Sequence, residues 1–248
     1  MPRFRKYEQK IRRYKYKLKK LITRIGISYI DEFELNHEAP KKLSLPCHIG
    51  ILFFGEYDKF LFERLKLSLN QAFDSFFFSI RNLGIYNFSF ELISKGVKTE
   101  YREIKKSSNK IKIHPTNKFY QILINKRIEE NLGMIIAITE LPLYSSSDDN
   151  IIFLFGETHL KHRCCIISSL KLKEQFYNRI PNLKIFENRV IKEVIHEIGH
   201  IILGPDHCMK NSCVMRFSNT VKEIDEKSFD FCSGCKRKLL EITALYNF

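Results

Sequence analysis

The sequence lacks any long apolar run, and no basic start leads into an apolar signal core. Its uninterrupted apolar stretches are only a handful of residues, far short of the ~18 that a membrane-crossing helix requires. These absences exclude a membrane span and point to a soluble, cytoplasmic protein. Internal repeats are absent too. The chain also lacks an even set of cysteines to pair. It has seven, and four of them crowd into the last 41 residues at metal-ligand spacing, unlike the framework of a small secreted domain. A reducing compartment fits that distribution best.

Acidic residues are nearly missing from the first 24 positions, where eleven Lys or Arg face the single Glu8. That segment carries ten of the net fourteen positive charges, so the rest of the chain is close to balanced. Positions 9 to 24 set Ile11, Tyr14, Leu18, Leu21 and Ile22 on one helical face and Lys or Arg on the other, the pattern of a basic amphipathic helix. Such a helix either docks on the domain or touches an anionic partner such as nucleic acid. A proline-bearing linker, Glu38 to Pro46, follows it. The chain therefore divides into a basic extension and linker, residues 1–45, and a main domain, residues 46–248.

With 248 residues, 44% of them apolar and 13% aromatic, the chain can bury a substantial core. Strand-like and helix-like segments alternate through the main domain. Strands are expected over His48–Phe54, Phe88–Ile93, Met134–Thr139, Ile151–Phe155 and Cys164–Ser168. Helices are expected over Tyr57–Asp74, Asn117–Leu132 and Lys184–Leu203. Leu61, Leu65, Leu69, Ala72 and Phe73 supply the buried face of the first helix; Val190, Val194, Ile198, Ile201 and Ile202 supply that of the last. The polar loop Tyr144–Asn150 precedes an expected edge strand at Ile151–Phe155, and a loop containing Gly156, with His159 and His162, precedes the last strand. The class is α/β or α+β with a mixed sheet.

The chemistry is concentrated in His196-Glu197-Ile198-Gly199-His200. Positions i and i+4 of a helix share a face, so His196 and His200 can aim at one point, a zinc site. Glu197 lies ~100° round from His196, within reach of an activated water without occupying a coordination position, and is the natural general base. A chance His-Glu-x-x-His in a chain of this composition has a probability on the order of one or two per cent. The bland alternative is a purely structural helix. Against it stands Gly204-Pro205-Asp206-His207, because Gly suits a left-handed helix end, Pro stops continuation, and His207 can then return to the metal. Three protein ligands and an open fourth position mark catalytic zinc, and peptide hydrolysis follows. Met215, eight residues after His207, sits where a methionine turn would lie beneath the ligands, although a lone Met is usually core.

Cys208 and Cys213 form a C-x4-C pair, and Cys232 and Cys235 a C-x2-C knuckle. Four thiolates at these spacings close a tetrahedron around a second, structural zinc. Their net negative charge is offset by Lys210, Arg216, Lys236, Arg237 and Lys238. Adjacent His207 and Cys208 should point their side chains apart, toward different metals, so the structural site fixes the third catalytic ligand. Cys47, Cys164 and Cys165 are most simply buried strand residues, since successive strand positions face opposite sides.

The stretches HEIGHIILGPDHC, CVM and CSGC resemble the archaemetzincin pattern H-E-x-x-H-x-x-G-x-x-H-C, then C-x-M, then C-x-x-C. MIIAITELPLY, FLFGE, CIISSLKL and VKEIDEKSFDF look like the same family, so the resemblance covers roughly the C-terminal half. The first 45 residues are unmatched. It implies a zincin-like mixed sheet over an active-site helix, catalytic zinc on His196, His200 and His207, Glu197 as general base, and structural zinc on Cys208, Cys213, Cys232 and Cys235. A peptide or protein substrate is implied with them. One departure is the extra residue in Ile201-Ile202-Leu203 before Gly204. Either the helix runs one residue longer, with or without a π-type bulge, and His207 binds, or Asp206, at the family's spacing, replaces it. Phe217 has no hydroxyl to stabilise an oxyanion. The substrate is expected to pair with the edge strand at Ile151–Phe155. The rival reading is a catalytically silent zinc module that binds nucleic acid through the basic helix.

Overall fold

The computed structural model describes residues 26–30, 43–55, 58–89, 94–104, 107–147 and 153–246; the expected basic helix at 9–24 lies outside them. In chain order the described elements are β1 (Ile27–Ser28), β2 (Cys47–Phe54), α1 (Lys59–Phe73), β3 (Phe77–Tyr86), β4 (Lys98–Ile104), β5 (Ser107–Pro115), α2 (Asn117–Glu129), β6 (Met134–Thr139), β7 (Leu143–Tyr144), β8 (Gly156–His159), β9 (Cys164–Ser168), α3 (Leu183–Leu203), α4 (Val221–Glu226) and α5 (Ser233–Tyr246).

The main sheet runs β1-β8-β9-β6-β2-β3. β2, β3, β6 and β9 are parallel, β8 is antiparallel to β9, and β1 adds to the free side of β8 in the parallel sense. β6 is central, and all six of its residues are buried; a parallel strand covered on both faces needs no polar alternation. The two-residue period divides the core. Ile49, Ile51, Phe53, Ile136, Ile138 and Cys165 face the layer that holds α1 and α3. Leu52, Phe54, Ile135, Ala137, Cys164 and Ile166 face α2. Cys164 and Cys165 thus sit buried on opposite faces, as their succession requires. A smaller sheet, β4-β5-β7, flanks this sandwich.

Helix ends follow local chemistry. The Asp58 carboxylate accepts the backbone N–H groups of Phe60 and Leu61 at 2.8 and 3.1 Å, starting α1, whose stripe Leu61, Leu65, Leu69 and Phe73 is buried. Asn182 caps α3 through the Ile185 N–H at 3.0 Å. The middle of α3 is tied down by ion pairs. Arg189, 2% exposed, bonds Glu174 at 2.6 Å and Asp225 at 2.7 and 2.8 Å. Lys192 donates to the carbonyls of Ile224 and Asp225, and buried Lys227 pairs with Glu193 at 2.9 Å. These contacts fix α4 against α3 just before the motif histidines, where a small rotation would spoil their aim.

Several sequence expectations need correcting. The strand expected at Phe88–Ile93 is absent from its described part, residues 88–89; the strand there is β3, Phe77–Tyr86, because that run continues directly from α1 and pairs with β2. Phe88 instead stacks on Phe54 as a loop side chain, ring centroids 4.9 Å apart. The edge strand expected at Ile151–Phe155 is absent from its described part, residues 153–155. Phe153 has φ 58, outside any strand conformation, and the antiparallel pairing starts at Gly156. Gly156 and His159 therefore belong to a strand rather than a loop, and His159 and His162 are buried. The β4–β5 hairpin was not expected, and α3 is not the last helix, since α4 and α5 follow it.

Candidate active site

α3 carries His196, Glu197 and His200 across the sheet beneath β8. Gly204, at φ 98, ends the helix, a backbone region that favours glycine, and its N–H still reaches the His200 carbonyl at 3.0 Å. The extra residue before Gly204 is therefore absorbed by plain α-helix through Leu203, without a π bulge. The chain then turns back and brings in His207, which is buried, while Asp206 stays exposed outside the cluster.

The three imidazoles converge. Their Nε2 atoms stand 3.1 Å apart for His196–His200 and 3.2 Å from His207 to each of the others. His196 Nδ1 donates to the Val214 carbonyl at 2.8 Å and His200 Nδ1 donates to the Gly204 carbonyl at 3.0 Å. A carbonyl only accepts, so both protons sit on Nδ1 and both Nε2 atoms present bare lone pairs to the centre. Burial, first among the causes, keeps these rings neutral: it pushes His200 down to about 3 and His196 well below its usual range. Facing lone pairs suit a cation placed between them. Four-coordinate zinc with Zn–N of ~2.0–2.1 Å would place its ligand atoms ~3.3 Å apart, which matches.

Glu197 is buried beside this cluster. The Thr158 hydroxyl lies 2.5 Å from its Oε2 and 3.0 Å from its carbonyl oxygen. Burial pushes the carboxyl well above the usual carboxylate range, the Thr158 bond opposes this, and the neighbouring Glu193 and Glu157 add to the rise. Gly156 makes room for it: a Cβ there would fall 2.5 Å from Glu197 Oε1. Gly199 does the same for the methionine turn, since its Cβ would lie 2.3 Å from Met215 Sδ. Met215 thus packs under α3 between the two histidines. Thr158 and Gly156 escaped the sequence reading, being ordinary residues whose role appears only when β8 crosses α3. The Phe217 ring lies edge-on to His207, centroids 5.2 Å apart.

The four cysteines form a second cluster. Cys208 and Cys232 sulfurs are 3.6 Å apart and those of Cys213 and Cys235 3.8 Å, too far for disulfides at ~2.05 Å. Tetrahedral zinc with Zn–S ~2.3 Å requires ~3.8 Å. His207 and Cys208 do diverge into separate clusters. His159 and His162 join neither; their rings lie tilted with centroids 4.7 Å apart, and His159 meets the edge of Tyr120.

A cavity of about 90 Å³ opens at the histidines, with Gly26, Phe155, Lys171, Glu193, Phe217 and Asn219 in its wall. A larger cavity of about 350 Å³ lies beyond Phe53 and Thr139 and contains none of the motif residues; chemistry rather than size marks the site. The free side of β8 is held by β1: the Thr158 N–H donates to the Gly26 carbonyl at 2.8 Å, and Ile27 stands opposite Thr158.

A model of peptidase family M54 matches residues 51–241. Among similar proteins, the archaemetzincin of Methanocaldococcus jannaschii is 38% identical over 121 residues, 49% of this chain and 65% of its own length. That of Saccharolobus solfataricus is 44% identical over 95 residues, 38% of this chain and 50% of its own length. The chain thus spans about half to two thirds of the length of the curated relatives it matches. In structure it is similar to the archaemetzincin of Methanopyrus kandleri, with TM-score 0.60, 20% identity, and coverage of 83% of this chain and 98% of that one. The archaemetzincin of Archaeoglobus fulgidus gives TM-score 0.53 and 26% identity over 77% of this chain and 99% of that one. The mixed sheet over an active-site helix is therefore the archaemetzincin fold.

Gly156→Ala tests the close approach of β8 to α3. The added methyl must displace the Glu197 side chain, and urea unfolding should show a loss of about 1–3 kcal/mol; an unchanged midpoint would mean that β8 sits further away.

Proposed function

The chain belongs to peptidase family M54, and on that premise we propose that it is a zinc-dependent peptidase acting through Glu197. The observation that carries this reading is the set of three imidazoles turning their Nε2 atoms to one point beside a buried carboxyl group. In it, His196, His200 and His207 hold a catalytic zinc, and Cys208, Cys213, Cys232 and Cys235 a structural one. A zinc held by these histidines would supply Lewis acidity toward water and a peptide carbonyl, and a positive charge that favours the ionised form of Glu197.

Glu197 then takes a proton from the attacking water and returns it to the leaving amine. The Thr158 hydroxyl keeps the carboxylate aimed, Gly156 leaves space for it to swing, and Met215 and Val214 fix the imidazoles from below. Phe217 offers the tetrahedral oxyanion no hydrogen bond. Residues 46–248 constitute the catalytic unit in this reading. Four thiols held as metal ligands suit a reducing, cytoplasmic setting. Among the described residues, no helix is long and apolar enough to cross a membrane.

A peptide substrate would lie extended along β8, gaining main-chain hydrogen bonds. Residues 26–30 occupy that edge, so the peptide must displace them. The segment is anchored by Ile27, buried at 4%, by the Ser28–Ser147 hydroxyl pair at 2.9 Å, and by His159 Nε2 on the Ile30 carbonyl. Ile27→Asp, which puts a charge where an apolar side chain is buried, is expected to loosen it and lower KM several-fold with kcat little changed; a KM equal to the parent's would mean that substrate does not use this edge.

The main test compares peptide-library cleavage by the parent and by Glu197→Ala. The variant should keep both zincs by metal analysis and lose at least about 10³-fold in kcat. Equal cleavage by both proteins contradicts the mechanism.

A further inference from the structure

The cavity beside the histidines has a cation in its wall that the proposed chemistry does not use. Lys171 lies in the short turn Leu170–Leu172 after β9. Its Nζ donates to the Phe153 carbonyl at 2.9 Å and sits 4.5 Å from the centroid of the Phe155 ring. An ammonium group has three donors, and the carbonyl takes one. Among the described residues no carboxylate pairs with it.

The other charged groups of that wall are already engaged. Glu193 is neutralised by Lys227 at 2.9 Å. Glu197 is bonded to Thr158, and His196 is held neutral by burial; His207 turns its Nε2 to the cluster. Among the described residues Lys171 is thus the cation of this small, partly desolvated space that no carboxylate compensates. A buried charge is costly unless a counter-charge arrives, and here the Lys171 amine is pushed down to about 8 by burial. The strongest partner for its two open donors is a carboxylate, through a charge-assisted hydrogen bond.

We propose that Lys171 makes this cleft selective for peptides that present a carboxylate beside the bond to be cut. The inference rests on the peptidase reading of the site. The carboxylate can belong to an Asp or Glu side chain, as in an endopeptidase substrate, or to the peptide's own C-terminus, as in an exopeptidase substrate.

The experiment uses the full chain loaded with zinc and four synthetic peptides in two matched pairs: internal Glu against Gln, and C-terminal acid against amide. Dissociation constants are read by competition with a fluorescent peptide, and again with Glu197→Ala so that binding is seen without turnover. The carboxylate member of one pair should bind about tenfold tighter than its neutral twin. Which pair shows the ratio identifies the source of the carboxylate. Lys171→Met should erase the ratio and Lys171→Arg should keep it, a pattern that mere loss of packing would not produce. In the parent the ratio should fall as pH rises through about 8, where the amine loses its charge. A ratio near one in both pairs, a ratio that survives Lys171→Met, or no measurable binding of any of the four peptides overturns the proposal. A Lys171-dependent binding ratio without any cleavage would instead count against the peptidase reading alone.

Discussion

The fold is organised around three imidazole nitrogens held about 3 Å apart, two of them with lone pairs facing inward because carbonyls hold their protons on the far side, a geometry that suits a cation at the centre. Backbone geometry enforces this. Val214 and Gly204 supply the carbonyls, and each stands where it does because the chain reverses after α3 and runs back beneath it. The extended β8 closes the other side and brings Thr158 to Glu197. Little of this would persist if α3 rolled by a fraction of a turn, and the cluster of Arg189, Lys192, Glu193, Asp225 and Lys227 opposes such a roll.

The cysteine cluster is the second half of the same device. Cys208 directly follows His207, its N–H bonds the Met215 carbonyl at 2.9 Å, and the Val214 N–H bonds the Asp230 carbonyl at 3.1 Å. The segment that positions the third imidazole and the methionine turn is therefore stapled at both ends to the four sulfurs. It contains few apolar side chains of its own, Val214, Met215, Val221, Ile224 and Phe231 being the main ones that reach the core. A segment with so little to bury needs a cross-link to hold catalytic geometry.

The motif residues were legible because their chemistry is local: two histidines one turn apart, a glycine and proline that stop a helix, thiols at fixed spacing. Their partners were not. Thr158, Gly156 and Lys171 matter only through contacts with residues distant in the chain, and nothing in their neighbourhood in sequence announces it. Strand placement failed for related reasons. Phe153–Phe155 is apolar enough for a strand, yet Lys171 takes the Phe153 carbonyl and a positive φ turns the chain, so pairing starts one residue later at Gly156. Phe77–Tyr86 mixes apolar and polar residues without clean alternation, so its half-exposed place at the sheet edge escaped the periodicity. The one-residue insertion before Gly204 left two ligands open on spacing alone. The structure brings in His207 because regular helix absorbs the insertion and the cysteines downstream keep their register with it.

The central claim is that one chain holds two zinc ions in chemically distinct settings, one of nitrogen and one of sulfur. X-ray absorption at the zinc edge, with the metal-to-protein ratio known, reads this directly. The account predicts two zinc per chain and an averaged shell of about two sulfurs at ~2.3 Å and about two nitrogen or oxygen atoms at ~2.0–2.1 Å per ion. A single zinc per chain, or a shell of only one ligand type, would contradict it.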